Sequence, residues 1–234
     1  MARIYRITGA VLADNRAERR LGAILAADVA GYSRLMGVDE EGVLARLKAV
    51  RKSLVDPAIT AHRGRIVKTT GDGILVEFAS AVDAARCAIE VQRGIAEQNS
   101  TLPQVKRIEF RVGIHVGDII SDENDIFGDG VNIAARLEGI AEPGGVCISD
   151  DAQRQIRGKV DIAFEDMGPQ NLKNITEPMR AWRLRTHAGA SAATSIMPPI
   201  ESTQTLALPD KPSIAVLPFE SMSGCLFHEA KVSR

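Results

Sequence analysis

Between Arg65 and Phe78 the chain reads RIVKTTGDGILVEF, two β-prone arms around Gly71-Asp72-Gly73. A short Gly-Asp-Gly turn between such arms predicts an antiparallel hairpin. Helical patterns flank it on both sides. Upstream, Val43, Leu44, Leu47, Val50, Leu54 and Val55 recur at helical spacing, behind the acids Asp39, Glu40 and Glu41. Acids in a first turn suit the helix dipole. Pro57 is expected to bend the last turns, and Gly64 to close the element. Downstream, Ser80 with Asp83 has capping-box spacing and starts a helix carrying Val82, Ala85, Ala88, Ile89 and Val91. Before all this, LGAILAADV at residues 21–29 reads as a buried strand ending on Asp28. After it, residues 107–120 alternate as a long strand. A short acidic loop, the glycine-led helix GDGVNIAARLEGIA, a short strand VCIS and a closing strand at residues 178–186 follow. The order β-α-β-β-α-β, with further α and β elements, predicts an α+β sandwich of the ferredoxin-like kind.

The 234 residues hold more than this one unit. Residues 1–20 read as a polar, Arg-rich lead-in, residues 21–186 as the α+β domain. Residues 187–210 carry two acids, Glu201 and Asp210, and no Lys or Arg. Ala, Ser, Thr and Pro dominate there, the composition of a linker. Residues 211–234 read as the start of another module, too short to enclose a core of its own. Arg3, Arg6 and ITGAVLA run into DNRAERR without a clear cleavage site, so the start reads as an arm rather than a signal peptide. No apolar run approaches the roughly 20 residues that a membrane helix needs. Lys plus Arg is 29 and Asp plus Glu 30, a balance that argues against a general nucleic-acid binder. Cys87, Cys147 and Cys225 are far apart and odd in number. Neither a metal knuckle nor a disulfide framework is expected from them, and a reducing cytoplasm is the natural compartment.

A strand end and a hairpin tip in one sheet can converge, which would bring Asp28 and Asp72 together. Two carboxylates there suit Mg²⁺, which takes one or two carboxylates plus substrate phosphates. Flanking Gly71 and Gly73 would let phosphate oxygens approach the backbone. Asp between glycines is equally an ordinary turn. Lys68 precedes Asp72 by four residues and reads otherwise as a solvated strand charge. Asn132 and Arg136, spaced i, i+4, share a helix face. An amide and a guanidinium side by side near a helix start suit an anionic substrate, or make a plain surface pair. Lys173 in NLKNI reads by itself as a surface lysine, and His115 as a packed residue rather than a base. His62, His187 and His228 have no acidic or cysteine partner at useful spacing.

Together these segments resemble the catalytic domain of class III adenylate/guanylate cyclases over roughly residues 20–186. The blocks carrying the likeness are AADVAGYSRLM, GRIVKTTGDGILVEFAS, FRVGIHVGD, DIFGDGVNIAARLE and NLKNITEPMRAWRL, in that order. The resemblance implies that Asp28 and Asp72 hold two Mg²⁺ ions (Mn²⁺ as a substitute), joined by the Val29 carbonyl. It implies that Lys68 and Asp125 read the purine. Lys with Asp is the adenine-type combination, whereas guanylate cyclases typically use Glu with Cys or a small residue. Asn132 would orient the ribose, Arg136 would meet the transition state, and Lys173 would bind the triphosphate.

The implied reaction is attack of the ATP 3′-hydroxyl on the α-phosphorus, giving cyclic AMP and pyrophosphate. The resemblance further implies a head-to-tail homodimer, with the metal aspartates from one protomer and the remaining residues from the other. Turnover of GTP, or a silent nucleotide-binding regulatory domain, are the alternatives. The stretch from His115 to Asp125 is short, so the hairpin often found there is expected to be abbreviated. SIAVLPFESMSG resembles the opening of a sensory module that follows such bacterial cyclases. That likeness stops at Gly224, and a truncated or frameshifted C-terminal module is the expectation for the remainder.

Overall fold

The computed structural model describes residues 18–122 and 125–185. The rest of the lead-in, the expected linker and the expected C-terminal module lie outside the described residues. Eight strands form one sheet, in the order β2-β3-β1-β4-β6-β8-β7, with β5 paired to β4. They are β1 (Glu18–Val29), β2 (Arg65–Thr70), β3 (Gly73–Phe78), β4 (Phe110–Asp122), β5 (Asp125–Phe127), β6 (Val146–Ser149), β7 (Ala163–Gln170) and β8 (Met179–Arg185). The first four strands of the expected βαββαβ unit stand as β2-β3-β1-β4, all antiparallel, which is the ferredoxin-like arrangement. β6 then adds parallel to β4, and β8 and β7 extend that side.

β1 lies in the middle, and its apolar run follows from that place. Ala23, Leu25, Ala27 and Val29 enter the large core on one face, while Ile24 and Ala26 enter a smaller core on the other. A strand buried on both faces has no need of polar alternation. The strand also starts earlier than the sequence suggests. Glu18, Arg19 and Arg20, assigned to the lead-in, pair with Ser121, Ile120 and Ile119 of β4.

The segment after β1 is not one bent helix but a series. A short helix, α1 (Tyr32–Val38), comes first, anchored by buried Leu35. Then α2 (Glu40–Val50) is capped by Asp39, whose carboxylate accepts from the Gly42 N–H at 2.9 Å. A wide π-type turn at Arg51–Val55 leads into α3 (Asp56–Ala61), with Pro57 in its first turn. Pro57 lacks the N–H that would bond back to Ser53, so the regular ladder loosens just before it.

The long α4 (Ala81–Asn99) follows the hairpin, with Ser80 Oγ accepting from the Val82 and Asp83 N–H groups as its spacing implied. Its last residue places the next strand. Asn99 Nδ2 donates to the Ile108 carbonyl at 2.7 Å and Asn99 Oδ1 accepts from the Ile108 N–H. The long strand therefore begins at Phe110 rather than at 107.

The expected acidic loop after β4 is a hairpin instead, because Asp125, Ile126 and Phe127 return along Asp122, Ser121 and Ile120. Its returning arm is three residues long, in keeping with the abbreviation expected. Helix α5 (Asp129–Ile140) then crosses the smaller core. Its seat on the sheet is set by Gly113 of β4. A Cβ there would stand 2.2 Å from both the Ala134 carbonyl oxygen and the Glu138 nitrogen. Only glycine lets the helix backbone lie that close. The last helix, α6 (Asp150–Ile156), is capped by Ser149.

Candidate active site

The β2-β3 turn is tighter than Gly71-Asp72-Gly73. Thr70 pairs with Gly73, which leaves Gly71 and Asp72 as a two-residue loop. Gly71 takes φ of +63°, the left-handed conformation that such a turn demands. A register shift between Ile66 and Lys68 marks a bulge in β2, a feature that re-aims the side chains beyond it.

Asp28 lies near the end of β1, directly opposite Arg111 of β4. Asp28, Asp72, Lys68, Thr70 and, from α5, Val131, Ala135 and Glu138 line one open cleft of about 370 Å³. The structure thus brings the two expected metal carboxylates to a common cleft. Val29 follows Asp28 and is 2% exposed. Asp72 has no hydrogen bond or ion pair from its side chain among the described residues. Asp28, by contrast, is gripped. Arg111 Nε donates to Oδ1 at 3.0 Å and Arg111 Nη2 to Oδ2 at 2.5 Å.

The pair expected to read the purine meets directly. Lys68 Nζ donates to Asp125 at 3.0 and 3.2 Å, across 57 positions of sequence. Asp125 Oδ1 also accepts from the Ile126 N–H at 2.8 Å. Lys68, and then that N–H, hold the Asp125 carboxyl below the usual carboxylate range. Both side chains are open to solvent, so the pair contributes little to stability.

The remaining three candidates gather differently. Arg136 Nε donates to the Lys173 carbonyl oxygen at 3.2 Å, which ties α5 to the turn after β7. That turn is pinned beneath by buried Leu172, whose carbonyl accepts from the Ile175 N–H. The Lys173 ammonium and Asn132 are exposed. No hydrogen bond or ion pair joins Asn132, Arg136 or Lys173 to Asp28 or Asp72 among the described residues. Within one chain these are two groups of residues, not one.

Two residues beside the cleft were not singled out in the sequence. Arg111 alternates into its place on β4. Glu138 lies two residues beyond Arg136. Its Oε1 is 3.2 Å from Arg111 Nη2 yet accepts no hydrogen bond. Burial first, then contact with Asp28, pushes the Glu138 carboxyl up to about 8. The Asp28 carboxylate raises Arg111 further above its already high value. An i+2 offset from Arg136 carries no signal in a sequence, since the two residues face different ways on a helix.

The histidines divide. His115 is buried, with Nδ1 2.9 Å from Ser149 Oγ, a packed residue as expected. His62, without a partner at any useful spacing, finds one in space, with Nε2 2.8 Å from Glu90 Oε2 on α4. His187 and His228 lie outside the described residues. Cys87 and Cys147 are buried and free. Among the described residues no helix is long and apolar enough to cross a membrane.

Residues 20–186 match the family described as Adenylate and Guanylate cyclase catalytic domain. A Rhizobium meliloti protein named "Putative adenylate cyclase 3" is 46% identical over 215 residues, 91% of this chain and 36% of that protein. A Streptomyces coelicolor protein named adenylate cyclase is 34% identical over 135 residues, 58% of this chain and 34% of that protein. The chain therefore spans about a third of the length of these relatives. Among solved structures, an adenylate/guanylate cyclase/hydrolase from Silicibacter pomeroyi is 52% identical, with a TM-score of 0.67, covering 72% of this chain and 98% of that one. With its sheet order and its five motif blocks inside the matched span, the chain belongs to the class III adenylate and guanylate cyclase catalytic domains.

Proposed function

We propose that this domain is an adenylate cyclase, a phosphorus–oxygen lyase that converts ATP to 3′,5′-cyclic AMP and pyrophosphate for intracellular signalling. The observation that carries the choice of ATP is the meeting of Lys68 Nζ with Asp125 at 3.0 Å. A lysine can donate to adenine N1, and a carboxylate can accept from the exocyclic amine. Guanine presents a donor where adenine accepts and an acceptor where adenine donates, so this pair would be left unsatisfied by it. Lys68 and Asp125 satisfy each other, and adenine would replace both halves of that ion pair.

The cleft chemistry fits a divalent cation held by oxygen. Asp28 and Asp72 are hard ligands, and among the described residues no three His, Cys, Asp or Glu side chains are placed to hold a metal. Two carboxylates, the Val29 carbonyl and substrate phosphates make a set that Mg²⁺ accepts, with Mn²⁺ as a substitute. Bound there, two such ions would lower the pKa of the 3′-hydroxyl and offset charge on the triphosphate. The chain's own residues do the remaining work. Asn132 orients the ribose, Arg136 neutralises charge that grows on the α-phosphate oxygens, and Lys173 holds the triphosphate.

The carboxylates and the trio Asn132, Arg136 and Lys173 have no contact within one chain, which favours a site completed between two protomers. The arrangement proposed is a head-to-tail homodimer with two equivalent sites. A domain that consumes ATP and keeps two buried cysteines unpaired is suited to the cytoplasm. The decisive experiment supplies the purified protein with Mg²⁺ or Mn²⁺ and either ATP or GTP, and identifies the product. Cyclic AMP from ATP is expected. Cyclic GMP alone would overturn the assignment in favour of a guanylate cyclase. Nucleotide binding without turnover would replace it with a regulatory domain.

A further inference from the structure

We infer that Arg111 is a resident counter-cation of the metal cleft, competing with a divalent cation for Asp28 and passing to Glu138 when that cation takes the carboxylate. The inference rests on the proposal that Asp28 and Asp72 hold that cation.

The geometry is specific. Asp28 and Arg111 are direct cross-strand partners of β1 and β4, so their side chains leave the same face of the sheet. Arg111 forks onto both carboxylate oxygens of Asp28, a bidentate contact that fixes orientation as well as charge. Gly113 lies two residues along on that same face. Its missing Cβ lets α5 settle against β4 at Ala134 and Glu138. That close approach delivers Glu138 to the same guanidinium nitrogen that meets Asp28. One Nη2 therefore stands 2.5 Å from Asp28 and 3.2 Å from Glu138.

Glu138 Oε1 is buried, close enough for an ion pair, and without a hydrogen bond. An acceptor left in that state is costly, and a small rotation of the guanidinium would satisfy it. A divalent cation on Asp28 supplies the reason to rotate. It repels the arginine and takes over its partner. The fork also orients the Asp28 carboxylate, so Arg111 is a positioning residue. It competes with the metal electrostatically and makes the cleft less attractive to cations until they arrive with nucleotide.

The test is Mn²⁺ binding to the full chain without nucleotide, measured by calorimetry or by loss of the free-ion paramagnetic signal. Wild type should bind, and Asp72→Asn should abolish binding. Absence of wild-type binding, or full binding by Asp72→Asn, would sink the metal reading and this inference with it. If both controls behave, Arg111→Gln should bind Mn²⁺ about tenfold more tightly than wild type, because a competing positive charge has gone. Arg111→Lys, which keeps the charge, should stay near wild type. A folded Arg111→Gln protein with unchanged or weaker binding overturns the inference alone, since a purely structural arginine would loosen the site. Should Arg111→Gln fail to fold, the wild-type Arg111 Nε–H resonance decides. It should move on titration with Mg²⁺ as the group leaves Asp28 Oδ1, and a signal unmoved at saturation overturns the proposal.

Discussion

The group around Asp28 and the group of Arg136 and Lys173 are built to opposite standards. Asp28 comes off a strand buried on both faces, is matched across the ladder by Arg111, and is backed by a helix seated on Gly113. Arg136 and Lys173 touch through a single N–H to a backbone carbonyl, with the lysine ammonium and Asn132 in solvent. The first group is fixed by contacts inside one chain. The second leaves Asn132 and Lys173 exposed among the described residues. A residue of the first kind affects both folding and chemistry when changed. A residue of the second kind, or one like Asp72 with no side-chain partner, should affect chemistry alone.

The largest effect is expected where chemistry is separable from folding. Arg136→Ala should lower turnover by about 10³–10⁵, the range for an arginine that stabilises a phosphoryl-transfer transition state, with ATP affinity nearly unchanged. Equal losses in both would remove that role. Asp72→Ala should be equally inactive yet melt like wild type. Mixing the two inactive chains under subunit exchange should restore partial activity, as a shared site requires. No recovery would place both ends of the site in one chain.

The purine pair comes next. Lys68→Glu with Asp125→Cys should shift the ratio of ATP to GTP turnover by about 10- to 100-fold toward GTP, since each unmatched polar group at a purine edge costs about 1–3 kcal/mol. A ratio that does not move would detach Lys68 and Asp125 from base reading. Neither change should alter stability much, because the pair is exposed.

On the buried side, Gly113→Ala should destabilise the fold by about 1–3 kcal/mol, the usual cost of overpacking, because its Cβ meets helix backbone that cannot rotate away. Thermal melting reads the loss, and weaker metal binding should accompany it as Glu138 withdraws from Arg111.

The smallest effect is a pH dependence. Burial depresses the His115 pKa below the ordinary 6.5, with Asp151 opposing weakly. Below 6.5 the unfolded chain takes up a proton that the folded chain refuses, so this contribution to stability is lost as pH falls. His115→Gln should flatten the decline in stability on the acid side of that value. An unchanged slope would show that His115 is not what the folded state protects.

Much of this molecule was legible in the sequence because its cues are local. The hairpin, the Ser80 cap, the buried central strand and the glycine-led helix each follow from residues within a few positions of one another. The candidate site residues could be picked out only through the likeness of five motif blocks to a known family. Taken singly, Lys68, Asn132, Arg136 and Lys173 are ordinary surface residues, and three of them are exposed. What the sequence left hidden is non-local. The pairing of His62 with Glu90 spans 28 positions, and that of Arg111 with Asp28 spans 83. Glu138 joins Asp28 because one missing Cβ in a different strand lets a helix come down. Local chemistry determined which elements form and in what order. Only their packing decided which charges face each other, since distance in space rather than spacing in the chain sets the strength of an ion pair.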